Sequence, residues 1–263
     1  MTPHYQTLKG ELQLSFYKQG KKTRMTSCYQ RSPLKASRTL YPSGNERASV
    51  YLVDTSGGIA CGDYNQIVIT ADHQASVDII QQSATKIYPA RIRDKKSKQD
   101  ISIIVSNGSQ LYWHPETTIP FAGSRFQQSV TIRVDASSCC YFADILSPGR
   151  EKYQEIFQYE SIDSTLHVYY EGKRLAYDRL YFQPSSQEML GLLDDYYFGS
   201  AWYIASCIPR DLAMIQQADA VDPNVRFAVT ALDPIGLHAR WLSRDLCLLK
   251  EQMQYFQALV CAD

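Results

Sequence analysis

The stretch TSGGIACGDYNQIVITADHQASVDIIQQSATKIY, Thr55 to Tyr88, decides how this chain is read. It opens on a glycine cluster beside one acid and closes on a small-residue turn that carries Lys86 and Tyr88. Two apolar strands lie between these ends. Val77 and Ile79 alternate with polar neighbours, which is the period of a strand with one buried face. Gly57, Gly58 and Gly62 allow positive φ or close backbone approach, which other residues resist. A strand therefore ends there, and Asp63 is held on a tight turn. A placed carboxylate beside open backbone can stop a cation or a polar partner.

The same period extends in both directions. Leu12, Leu14 and Phe16 alternate, as do Ile101, Ile103 and Val105, then Leu111 and Trp113. Val130, Ile132 and Val134 repeat the pattern, followed by Leu166, Val168 and Tyr170. Turn residues punctuate the runs at Pro42 to Asn45, Asn107-Gly108 and Pro148-Gly149. Asn107-Gly108 between two alternating runs predicts a hairpin. The charged tract RIRDKKSKQD, Arg91 to Asp100, reads as a solvated hairpin loop. No repeat of fixed period is visible.

The fold class is mainly β: a single large domain of many short strands, with a few helices toward the C-terminus. Residues 1–183 form its β-rich body and 184–263 a mixed α/β part. Pro209 to Ala218 reads as a helix, and Val225 to Leu232 as a strand. Leu246, Leu249, Met253, Phe256 and Val260 fall at spacings of three and four, making one apolar helical stripe. Ser243 is placed to cap its start, and Asp245 suits the positive end of the helix dipole. That stripe is expected to complete the core.

Bulk properties exclude several classes. Lys plus Arg and Asp plus Glu are 27 each, so the net charge is zero and nucleic-acid binding is not expected. No run of about 18 apolar residues occurs, and the first residues carry no leader pattern. The 7 Cys are odd in number and include no CxxC pair. They read as reduced thiols of a cytoplasmic protein rather than a disulfide frame or a zinc site. There is no phosphate loop, no GxSxG elbow and no HExxH helix. The 5 His share no spacing that would put two on one helix face or tight loop.

Carboxylates remain. Asp63, Asp144 and Asp178 each lie beside apolar or β-rich sequence. Asp144 is flanked by Tyr141-Phe142-Ala143 and Ile145-Leu146 and is expected to face inward, with Arg150 or Arg179 as its partner. Two readings stand side by side: structural ion pairs, and a polar path lined by hard oxygen ligands. A hydrolase using Asp144 and Asp178 as paired carboxylates is a third reading, and a metal-free β interaction module a fourth. The Tyr-rich stretch Asp194 to Phe198 is a candidate partner surface.

Five blocks in order carry a resemblance: TSGGIACGD, QSATKIY, LYWHPETTIPFAGSR (Leu111 to Arg125), ADILSPGR (Ala143 to Arg150) and GKRLAYDR (Gly172 to Arg179). Together they resemble the urease accessory protein UreD family, called UreH in some species. The resemblance implies a mostly β fold with helical-type, β-helix-like winding and no enzymatic activity of its own. It implies a scaffold that binds a helical UreF-like protein, through it a UreG-like GTPase, and apo-urease. It also implies transient nickel passage through an internal polar tunnel. Residue by residue, Asp63, Thr85, Lys86, Tyr88, Pro115, Asp144, Gly149, Arg150, Asp178 and Arg179 match family positions. Asp63, Asp144 and Asp178 are the acids expected to line the route. Cys61 stands where the family often has Gly, and its thiol adds a possible nickel ligand beside Asp63. Gln154-Glu155 stands where a Gly-Glu pair is usual.

Overall fold

The computed structural model describes residues 7–42, 44, 46–91, 95–184, 197–206, 224–232 and 235–261. Strands are numbered in chain order. One seven-stranded sheet runs β16 (Lys173–Phe182), β15 (Ser161–Tyr170), β11 (Arg125–Val134), β8 (Ser97–Val105), β5 (Tyr64–Asp72), β1 (Lys9–Gln19), β2 (Lys22–Arg31). The spine of a ten-stranded sheet runs β18 (Val225–Ala231), β19 (Gly236–Ser243), β17 (Tyr197–Ala205), β12 (Cys139–Leu146), β9 (Gln110–Trp113), β6 (Ser76–Gln81), β4 (Ala48–Asp54), β3 (Leu34–Ala36). Short strands β7 (Thr85–Ile87) and β10 (Thr117–Pro120) attach beside β12. A small hairpin joins β13 (Gly149–Arg150) to β14 (Glu155–Ile156).

From β4 to β15 the chain crosses from one sheet to the other at almost every step. Neighbours in the first sheet, β1 to β5 to β8 to β11 to β15, are all parallel. So are β4, β6, β9 and β12 in the second. The protein is therefore mainly β and wound as a two-sheet coil. Inward residues stack from coil to coil. Leu14, Ile69, Ile103, Ile132 and Val168 form one row, and Val50, Ile79, Trp113 and Phe142 face it from the other sheet. All are at most 2 % exposed. Each such side chain contributes roughly 1.5–3 kcal/mol by leaving water.

Asn107-Gly108 does not make a hairpin, because β8 and β9 lie in different sheets. Both residues have positive φ, 53° and 73°, as a tight turn requires. The turn is instead a corner of the coil, pinned to the corners beside it. Asn107 Nδ2 donates to Asp72 Oδ1 at 2.7 Å, and its backbone N–H donates to Asp135 Oδ2 at 2.6 Å. The charged tract is likewise no hairpin loop. Its described end enters β8, where Ser97 and Gln99 point inward at 1 % and 5 % exposure.

Beyond Pro184 the described strands β17, β19 and β18 extend the second sheet. The expected helix at Pro209 to Ala218 and the acidic half of Asp194 to Phe198 lie outside the described residues. The C-terminal helix spans Leu246–Val260 and buries Leu249, Met253, Phe256 and Val260 against β17 and β19. Asp245, not Ser243, is its N-cap: Oδ1 accepts from the N–H of Cys247 at 2.7 Å and of Leu248 at 3.1 Å. Ser243 sits two residues further out and accepts from the Asp245 N–H.

Candidate functional site

The glycine motif and the QSATKIY block are far apart in sequence and touch in space. Ile59 N–H donates to Lys86 O at 2.8 Å, and Tyr88 N–H donates to Ile59 O at 3.0 Å. Gly58 lies between them with φ of 149°, and a Cβ there would meet Lys86 O at 2.6 Å. Only glycine fits that approach. Next to this junction Tyr88 packs edge-on against Phe121, and the Arg150 guanidinium covers the other ring at 4.0 Å. Arg150 is held by Glu155, which also accepts from the Ala122 N–H. Gly149 closes this knot, since a Cβ there would lie 2.1 Å from Glu155 O. The motif residues thus build the coil end where the strands of the first sheet begin.

Just inside that end the interior turns polar. In the first sheet Asn65, Gln99, Gln128 and Ser164 stand side by side in register. Asn65, Gln99 and Gln128 are 2 %, 5 % and 7 % exposed, so they face the other sheet rather than solvent. The second sheet contributes Gln81, Asp144 and Ser200 at the facing level. Two cavities open in this layer. The first, about 70 Å³, is lined by Asp54, Asn65, Gln81, Thr85, Lys86 and Gln99 among others. The second, about 40 Å³, is lined by Gln128, Asp144, Ser164, Asp178, Ser200 and Trp202 among others. One water needs roughly 10–15 Å³ by this measure, so each chamber takes a few waters or one partly hydrated ion.

Asp144 and Asp178, predicted from sequence, come together in the second chamber. Burial pushes the Asp144 carboxyl up to about 7, with the neighbouring Asp178 charge adding to the effect. Neither Arg150 nor Arg179 is its partner. Those guanidiniums are held by Glu155 and Asp163, because both lie on outward or end positions. Arg240 instead bonds Asp178. His238 stacks on Trp202 at 3.7 Å, with Nε2 3.2 Å from Ser200 Oγ. Burial lowers its pKa to about 4, so the ring is neutral near pH 7.

Asp63 is placed differently. Its carboxylate accepts from the Leu8 N–H at 2.7 Å and the Ala60 N–H at 3.1 Å, and it lines neither chamber. It ties the start of β1 to the glycine turn. Cys61 is half-buried, with Sγ 3.8 Å from Lys95 O. Among the described residues no three His, Cys, Asp or Glu side chains converge on a metal-sized site. No helix there is long and apolar enough to cross a membrane.

The buried amides are what sequence reading missed. Their signal is present: Asn65, Gln99, Gln128 and Ser164 each occupy the inward phase two residues before an apolar inward position. These features define a coiled two-sheet β protein with a polar layer between its sheets. Comparison with known proteins names the group. The UreD urease accessory protein family matches residues 8–262. The urease accessory protein UreD of Halalkalibacterium halodurans is 37 % identical over 92 % of this chain and 90 % of its own. That of Lysinibacillus sphaericus is 36 % identical over 93 % and 92 %, and that of Sporosarcina pasteurii 35 % over 91 % and 95 %. The chain belongs to the UreD family, which gives it a role in urease maturation. Its relatives are named as accessory proteins rather than enzymes.

Proposed function

We propose that the protein is a scaffold of urease maturation that lets nickel(II) pass through its interior polar layer. The observation that carries this reading is the pair of water-sized chambers lined by Asp54 at one end and by Asp144 and Asp178 at the other. Nickel(II) accepts carboxylate, amide oxygen, imidazole and water. A transit route needs sites strong enough for entry and weak enough for exit. Scattered acids separated by water meet that need, and a closed cage of ligands would not. Nickel is cargo here, held transiently.

The scaffold role extends to partners. A UreF-like helical protein, a UreG-like GTPase held through it, and apo-urease are the proposed assembly, working in the cytoplasm. Support comes from family membership and from the motif knot, whose Tyr88 and Tyr153 are 36 % and 72 % exposed. Exposed aromatics with Arg beside them anchor many interfaces.

Nickel-dependent activation of apo-urease by the reconstituted assembly tests the route. Replacing Asp144 and Asp178 together by Ala is expected to slow activation by about tenfold or more, a barrier change near 1.4 kcal/mol, while the assembly still forms. Activation at the parental rate would sink the route and leave the scaffold. Asp63→Ala is expected to act through stability, because its carboxylate is already committed to two backbone amides.

A further inference from the structure

The two chambers share no lining residue. Their linings meet at two places: Thr85 of the first is paired with Thr118 of the second in β7 and β10, and Gln99 Nε2 donates to Gln128 Oε1 at 3.1 Å, with both side chains buried. Gln99 lines the first chamber and Gln128 the second. On one side of this pair the next inward residues are Ile101 and Val130, and on the other they are Ser97 and Phe126. The hydrogen-bonded row continues from Gln128 Nε2 to Ser164 Oγ at 3.4 Å, and Asn65 Nδ2 donates to Asp54 Oδ2 at the far end. The layer thus carries acids toward its two ends, with Lys86 also lining the first chamber and Arg240 bonded to Asp178, and neutral side chains at its waist.

We propose that the Gln99–Gln128 amide pair is the gate of the interior route, a proposal that rests on the transit reading above. Closed, the two amides satisfy one another and leave no room for an ion. A divalent cation crosses only when that hydrogen bond breaks and the freed carbonyl oxygens turn toward it. Neutral oxygens suit this step. They replace part of the hydration shell, as carbonyls do in ion filters, yet they hold the ion less firmly than carboxylates. Ile101 and Val130 wall the pair on one side, where an unpaired charge is strongly disfavoured. The acids on either side act as wells and the amides as the barrier between them.

Two double variants separate the gate from a merely structural ladder. Gln99→Met with Gln128→Met keeps side-chain volume and removes every polar atom. Gln99→Ala with Gln128→Ala leaves space that water fills. In the reconstituted assembly, the Met pair is expected to slow nickel-dependent activation of apo-urease by about tenfold or more. The Ala pair is expected to activate at least as fast as the parent. Activation by the Met pair at the parental rate overturns the gate, as does an Ala pair as slow as the Met pair. Comparison with the Asp144 and Asp178 variant tells the two failures apart. If the aspartates matter and the amides do not, only the gate falls; if neither matters, the route falls and takes the gate with it. A direct measurement covers the case of a misfolded Met pair. Gln128→Glu places a carboxylate at the waist. Equilibrium dialysis of that purified variant against nickel sulfate at pH 8 is expected to find one more bound ion per chain than the parent. No added ion means that nickel does not reach this point, and the proposal is wrong.

Discussion

Asp144 shows how position alone sets a residue's chemistry. Burial and the nearby Asp178 charge hold its pKa near 7 in the folded protein, well above an ordinary carboxylate. The unfolded chain releases that proton near pH 4, so between about pH 4 and 7 the folded state binds more protons. Stability contributed at this site is therefore present at low pH and lost as pH rises through 7. Asp144→Asn removes the ionisation and keeps the shape. It is expected to be more stable than the parent at pH 8 by roughly 2 kcal/mol, a discounted share of the shift because the side chain keeps some contact with cavity water. Near pH 4 the two should match. Urea denaturation at both pH values measures the difference, and equal midpoints at pH 8 would refute the assignment. Asp63 is placed differently: it is buried, and its carboxylate oxygens accept from two backbone N–H groups. From sequence the two acids looked alike. Their environments come from strands that pair across long stretches of chain, which local pattern does not record.

The elements divide into those that carry their own signal and those defined by neighbours. The alternating runs at Leu12, Ile101, Val130 and Leu166 all became strands with those residues inside. The C-terminal helix was equally legible, since its stripe has one period and one sheet to cover. Its cap was misjudged by two residues because Ser243 and Asp245 are both good caps in isolation; only the geometry shows which oxygen reaches the N–H groups. Asp245→Ala is expected to lower stability by about 1 kcal/mol, whereas Ser243→Ala should cost less. Thermal melts of the two variants decide it, and the reverse order would restore the sequence-based cap. The Asn107-Gly108 turn failed for another reason. A two-residue turn with positive φ reverses a chain equally well between paired strands and at the corner of a coil. The difference lies in whether partners come from within the turn or, as with Asp72 and Asp135, from adjacent corners.

For the whole molecule the winding was foreseen only through family resemblance, and the coils explain why. Equivalent side chains in successive coils are 34, 29 and 36 residues apart, as in Ala75 to Ser109, Gln99 to Gln128, and Gln128 to Ser164. Unequal loops at the motif end hide a regular stack from any search for a fixed period. The stack also predicts where the protein opens. Strands β8 and β11 are paired on both sides by parallel neighbours, while β2, β16 and β18 are sheet edges. Amide hydrogen exchange should be slowest in β8 and β11 and faster by about two orders of magnitude or more in β16. Uniform protection across the sheet would contradict it. Finally, β5, β8, β11 and β15 each supply one polar rung to the buried row, so the number of coils and the length of that row are a single quantity. A version of the chain with the segment from Gln99 to Gln127 excised is expected to set Asn65 against Gln128 and fuse two compartments into one. In such modular architecture, evolution can shorten or lengthen the inner polar row by copying or dropping a storey, without redesigning either end of the stack.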